Sequence, residues 1–136
     1  MKTWEEADGS ILQWLPWDGG AQELKHKVPE VTFLGVQHQP DFAELFITLY
    51  PKDRILELRA LKEYVYQYRD IVISYERFID VVFGHMMEAF MPDRLRGIVV
   101  TKPRGGISSK LAIDSDWAVR GGEEKYRDWV GLDDVW

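Results

Sequence analysis

The stretch Gln39-Pro40-Asp41-Phe42 places an acid directly after a proline, where a run of aromatic and β-branched residues begins. A carboxylate there can act as a general acid or base, or accept hydrogen bonds from a ligand. It can also simply fix the turn beside Pro40, a common use of aspartate. His38 lies close by and is a second candidate for moving a proton, or a solvated loop imidazole. Further along, Arg104-Gly105-Gly106 sets a guanidinium beside two glycines. Backbone N–H groups at such a pair can approach a phosphate closely. A β-bulge at a strand start uses the same glycines.

The chain has no cysteine, which removes disulfides, thiolate metal sites and thiolate nucleophiles together. His26, His38 and His85 lie far apart and not in a ligand spacing, which argues against a zinc site. Acidic residues number 23 and basic residues 17, for a net charge of −6. That balance does not suit a protein that coats nucleic acid. No apolar run is long enough to span a membrane. The start, MKTWEEADGS, lacks the charged and apolar regions of a signal peptide. The expected location is the cytoplasm.

The elements that must hold these residues follow from periodicity. A chain of 136 residues, 46% hydrophobic, suits one domain with one core. Residues 1–30 read as an N-terminal extension, interrupted by PWDGG. Trp4, Trp14 and Trp17 give it apolar bulk to pack over the domain or a neighbouring subunit. Val31 to Val36 and Phe42 to Tyr50 read as two strands of a hairpin. Pro51 ends the second, and Asp53 is placed to cap a helix. Leu58, Leu61, Val65 and Tyr68 then share one helical face. A second helix is expected from near Ser74 to Met91, with Phe78, Val82, Met86 and Ala89 along one side. Ile79, Phe83 and Phe90 widen its apolar surface. Strands at 94–102 and roughly 107–114 complete the order. Two strands, two helices and two strands predict an α+β domain over 31–118, an antiparallel four-stranded sheet with both helices on one face. Its open edges call for association. The tail, 119–136, is charged and aromatic, suited to docking on the body or a partner.

Three blocks carry a family resemblance: VTF…QPDFAELFITLYP, ELRALKEY and PRGGIS. Their order and approximate spacing are similar to those of the QueF-type 7-cyano-7-deazaguanine reductases, the nitrile reductases of queuosine synthesis. The resemblance covers about residues 31–110. It implies the tunnelling fold, β-β-α-α-β-β, whose subunits assemble into barrels with active sites between them. It also implies a cysteine thiolate that adds to the nitrile carbon to give a thioimide, which NADPH reduces by two hydride transfers. That cysteine stands seven residues before the aspartate of the QPDF block, and the position here is Leu34. Leucine is neither nucleophilic nor ionisable.

By the same resemblance Asp41 relays protons to the reacting group. The family's His-Glu pair at the start of its second helix reads Tyr75-Glu76 here. The resemblance implies that Glu76, beside Tyr75, holds the base by accepting hydrogen bonds from its N–H groups. A glutamate in a first helical turn is also favoured by the helix dipole alone. The family's Glu-x-Lys-x-x-Lys-x-aromatic signature reads Glu57, Arg59, Lys62 and Tyr64. With Arg104, Gly105 and Gly106 these residues imply an NADPH site, with arginine and lysine differing in phosphate geometry. A solvated helix face with close charge pairs accounts for the same pattern. The resemblance thus implies a homo-oligomer that binds 7-cyano-7-deazaguanine or a similar purine-like base, without the thiol of the nominal reaction. Two alternatives stand beside this. One is a non-catalytic base-binding or partner subunit, completed by a cysteine-bearing paralogue. The other is a thiol-independent acid–base enzyme acting on a pterin-like heterocycle.

Overall fold

The computed structural model describes residues 2–103 and 105–116. Arg104 and the tail 119–136 therefore lie outside the described residues. In chain order the elements are β1 (Lys2–Thr3), β2 (Trp14–Pro16), β3 (Leu24–Leu34), β4 (Pro40–Tyr50) and β5 (Arg54–Leu56). Then come α1 (Leu58–Tyr66), β6 (Ile71–Val72), α2 (Tyr75–Phe90), β7 (Arg94–Thr101) and β8 (Lys110–Asp114).

Strands β3, β4, β7 and β8 are antiparallel neighbours in that order, as the residue pattern predicts. The sheet has six strands rather than four, because β6 and then β1 extend it beyond β3 in parallel. Each of these is two residues long, too short to carry a period. Strand β3 also begins at Leu24, ahead of the Val31 suggested by periodicity. Its register shifts between Val28 and Val31, where Pro29 cannot donate to a ladder and the alternation breaks.

One face of the sheet carries Phe33, Leu45, Ile47, Leu49, Leu95 and Val99, all buried. They pack in one cluster with Leu61, Tyr64 and Val65 of α1 and Phe78, Val82, Met86 and Phe90 of α2. Burying each large side chain contributes roughly 1.5–3 kcal/mol. The ring of Phe33 stacks on Phe78 at 4.9 Å, joining the strand that leads to the loop at 35–39 to the helix that starts at Tyr75. The opposite face has only a small cluster around Phe46 and Ile98.

Helix α2 has the expected limits. The Ser74 hydroxyl accepts from the Arg77 N–H, and Met91 ends the helix at φ 43°, ahead of Pro92. Helix α1 differs in its cap. Asp53 does not start it, because residues 54–56 pair with β2 as β5. The cap is Glu57, whose carboxylate accepts from the N–H groups of Arg59 (3.0 Å) and Ala60 (2.7 Å). Leu61, Val65 and Tyr68 are buried as their spacing predicts, but Leu58 in the first turn stays 59% exposed.

The N-terminal residues lie across the helices. The Asp8 N–H donates to Gln67 Oε1 (2.8 Å), and Gln67 Nε2 donates to the Asp8 carbonyl (3.1 Å). Leu12 enters the core. The guanidinium of Arg54 sits 4.2 Å from the Trp14 ring centre, and that of Arg77 sits 4.5 Å from Trp4. Among the described residues no helix is long and apolar enough to cross a membrane.

Candidate functional site

The hairpin between β3 and β4 closes through a short loop. The Gly35 N–H donates to the Gln39 carbonyl and the His38 N–H to the Gly35 carbonyl, both at 2.7 Å. His38 takes the left-handed conformation (φ 63°) that lets the chain reverse. The register then sets Asp41 opposite Phe33. Because Phe33 also meets Tyr75 edge-on at 5.2 Å, the hairpin and the first turn of α2 are held together. The Tyr75 hydroxyl points to the Phe42 carbonyl at 3.4 Å. On the other side of β4, the Lys102 N–H donates to the same carbonyl at 3.0 Å, bringing in the end of β7. Thr101 is clasped by Ser109, whose N–H donates to the threonine hydroxyl at 2.7 Å.

These contacts form a cleft of about 180 Å³, lined by Asp41, Tyr75, Glu76, Thr101, Lys102 and Ser109, with Ile107 and Leu111 at its apolar side. The catalytic candidate Asp41 and the substrate-binding candidates Tyr75 and Glu76 thus line one cleft. Glu76 also borders a larger groove between α2 and β8, so it stands between two concave surfaces. The cleft is below the roughly 300–1,000 Å³ of a typical ligand pocket. It can hold one face of a heterocycle but cannot enclose it. Leu34 is not among its lining residues. It ends β3 opposite Pro40, and its carbonyl accepts from the Ile73 N–H at 2.9 Å. Strand alternation turns its side chain to the face opposite that of Phe33.

The residues expected to hold a cofactor are divided. Glu57 is engaged as the cap of α1. Arg59 is exposed at the start of the same helix. Lys62 borders a groove of about 380 Å³ between α1 and the bulge of β3, together with Lys27, Arg69 and Tyr66 over a floor of Leu61 and Val65. Three cations and one carboxylate, Glu30, border this apolar floor, a balance that leaves net positive charge for a phosphate-bearing molecule. Lys27 also pairs with Glu44 at 3.5 Å, and Arg69 stacks on Tyr66 at 4.4 Å. Gly105 (φ 61°) and Gly106 (φ 83°) sit in the β7–β8 turn, in the left-handed region that favours glycine.

Tyr64, the aromatic of that helix pattern, faces away from solvent. Its hydroxyl lies 2.7 Å from both the Tyr68 hydroxyl and His85 Nδ1. Burial pushes the Tyr64 phenol far above its ordinary range, and burial pushes Tyr68 up to about 12. Burial lowers His85 despite Glu88 and Asp8 nearby. The spacing of Tyr64 and Tyr68 by one helical turn was the available signal for this trio. Nothing in the spacing points to Lys27 or Lys102, because each joins its surface only through strand or hairpin pairing, whereas Arg69 follows Lys62 and Tyr66 at helical spacing.

A sheet whose β3, β4, β7 and β8 are antiparallel neighbours, backed on one face by two helices, agrees with the tunnelling fold that the resemblance implies. The crystal structure of the archaeosine synthase QueF-Like in the apo form superposes with a TM-score of 0.62, covering 72% of this chain and 95% of that one at 16% identity. The family model described as QueF-like protein matches residues 40–120, and the chain belongs to that family. Among its relatives, NADPH-dependent 7-cyano-7-deazaguanine reductase from Gloeobacter violaceus is 38% identical over 96 residues, 68% of each chain. The proteins of the same name from Prochlorococcus marinus and Thioalkalivibrio sulfidiphilus are 34% and 31% identical. They cover 68% and 75% of this chain, and 69% and 82% of their own length.

Proposed function

We propose that this protein binds a 7-deazaguanine-type base in the cleft of Asp41, Tyr75 and Glu76, and that its own residues do not carry out covalent nitrile reduction. The meeting of those three side chains in one cleft is the observation that carries this reading. Glu76 accepts two N–H donors from the planar edge of the base. Asp41 holds or moves a proton at the substituent of the base. Tyr75 supplies a hydroxyl where the family has an imidazole, and a phenol is a far weaker acid–base group near neutral pH. The relatives are named for NADPH, and in this chain Lys62, Lys27 and Arg69 would hold its phosphates. NADPH would supply hydride. With no thiol on the chain, the covalent thioimide has no source here.

The cleft's small size supports a homo-oligomer whose neighbouring subunit closes the site. It also favours a second form of the reading, in which a cysteine-bearing paralogue is that neighbour. Calorimetric titration of the pure protein with 7-cyano-7-deazaguanine, guanine and neopterin, with and without NADPH, tests this. Selective binding of the deazaguanine, lost in Glu76→Ala, is the expected result. Preference for neopterin would turn the reading towards thiol-independent acid–base chemistry on a pterin-like ring. Binding unchanged by Glu76→Ala would remove the anchor.

A further inference from the structure

Gly35 is buried, yet its backbone does not demand glycine. Among the described glycines only Gly105 and Gly106 have positive φ, and the left-handed residue of the 35–39 loop is His38. Space accounts for the glycine. A β-carbon at residue 35 would lie 2.5 Å from Asp41 Oδ2, 3.3 Å from Asp41 Cγ and 3.4 Å from the Gln39 carbonyl oxygen. The backbone on both sides is tied. Gly35 donates to Gln39, the preceding carbonyl of Leu34 accepts from Ile73, and Asp41 is paired opposite Phe33. A methyl group at 35 is therefore not relieved by moving the strands apart. The Asp41 side chain must turn instead.

We propose that Gly35 is a positioning residue for Asp41: its missing side chain is the seat of the carboxylate, and that seat aims Asp41 into the cleft. The consequence for ligand rests on the reading of the cleft given above, but the seat itself does not. An acid displaced by about 1 Å loses much of its effect on a bound partner. The side chain next along, Val36, is 71% exposed and does not confine the loop.

The test is a stability cycle by urea denaturation of Gly35→Ala, Asp41→Ala and the double variant. It is paired with the carbon NMR chemical shift of the Asp41 carboxyl, compared between the unaltered and Gly35→Ala proteins. With Asp41 present, Gly35→Ala should lower the folding equilibrium constant about tenfold, the scale on which touching residues couple. With Asp41 removed, the same change should be neutral or stabilising, since alanine restricts the unfolded chain more than glycine does. The Asp41 carboxyl resonance should move, and base affinity should fall to that of Asp41→Ala. Additive effects, or an unmoved Asp41 carboxyl resonance, would overturn the proposal. If Gly35→Ala does not fold, recovery of folding in the double variant shows the same coupling, and failure of both to fold overturns it. Absence of base binding by the unaltered protein would defeat the ligand reading alone, leaving the cycle readable.

Discussion

Leu34 and Asp41 stand seven residues apart, and the hairpin register separates their side chains. Asp41 shares a register position with Phe33, while Leu34 pairs with Pro40 on the opposite face. Supplying the missing thiol at position 34 tests whether the loop can bring the two side chains together around ligand. In Leu34→Cys, mass spectrometry after exposure to 7-cyano-7-deazaguanine should show no thioimide adduct. An adduct would mean that the loop reorganises around ligand, and that the thiol alone separates this chain from a reductase. His26 offers a second residue-scale test. Its Nε2 is buried without a hydrogen-bond partner among the described residues, and burial lowers its pKa. The folded protein thus resists protonating it more than the unfolded chain does. Its contribution is complete above the unfolded pKa of about 6.5, and is lost as pH falls below that value towards the lower folded pKa. His26→Met removes the unsatisfied nitrogen and should stabilise by about 1 kcal/mol at pH 7. It should also flatten the loss of stability between pH 7 and 5 in urea titrations. Equal slopes for the two proteins would show that His26 is hydrated or paired in solution. At this scale Asp41 is singled out in the sequence because it sits in a block of fixed spacing, and Glu76 because it opens the second helix beside Tyr75. The sequence hides the need for glycine at 35, which arises only when the register brings Asp41 back beside it.

Helix α1 shows why one element can mislead at the level of its ends. Asp53 and Glu57 are both able to cap, and the local chain does not choose between them. The choice is made by β2, some forty residues earlier in sequence, which pairs with residues 54–56 and keeps them extended until Glu57. Glu57 also falls in the block that implies a cofactor site, so its two readings predict different losses. As a cap with two N–H partners, Glu57→Ala should cost about 1 kcal/mol in urea denaturation and leave NADPH and base affinity unchanged. A loss of NADPH affinity at unchanged stability would return Glu57 to the cofactor site. Helices α1 and α2 and strands β4 and β7, by contrast, are legible to within a few residues, while β3 begins seven residues before its periodicity does. The apolar periods of α1 and α2 and the alternation of β4 and β7 run long enough to be counted, whereas β1, β5 and β6 span two or three residues each. Their pairing partners lie far away in the chain, where no local pattern reaches.

At the scale of the whole molecule the proposed site is an open surface. The cleft is shallow, Glu76 stands between it and the groove beside β8, and among the described residues β8 forms one end of the sheet. An end strand presents unpaired N–H and C=O groups that another chain can satisfy. If a neighbouring subunit completes both the sheet and the cleft, then ligand binding and association are one linked equilibrium. A ligand that binds the assembled form more tightly must favour assembly, and by the same linkage diluting the protein must weaken apparent affinity. Sedimentation velocity over a hundredfold range of protein concentration, with and without 7-cyano-7-deazaguanine, reads this directly. The expected outcome is a shift of the association midpoint to lower concentration when ligand is present, with calorimetric affinity falling below that midpoint. The same shift should vanish in Glu76→Ala, which keeps the sheet edge but loses the anchor for the base. A protein that binds the base with undiminished affinity as a monomer would show that the single-chain cleft is sufficient, and would remove the reason for a second subunit at the site.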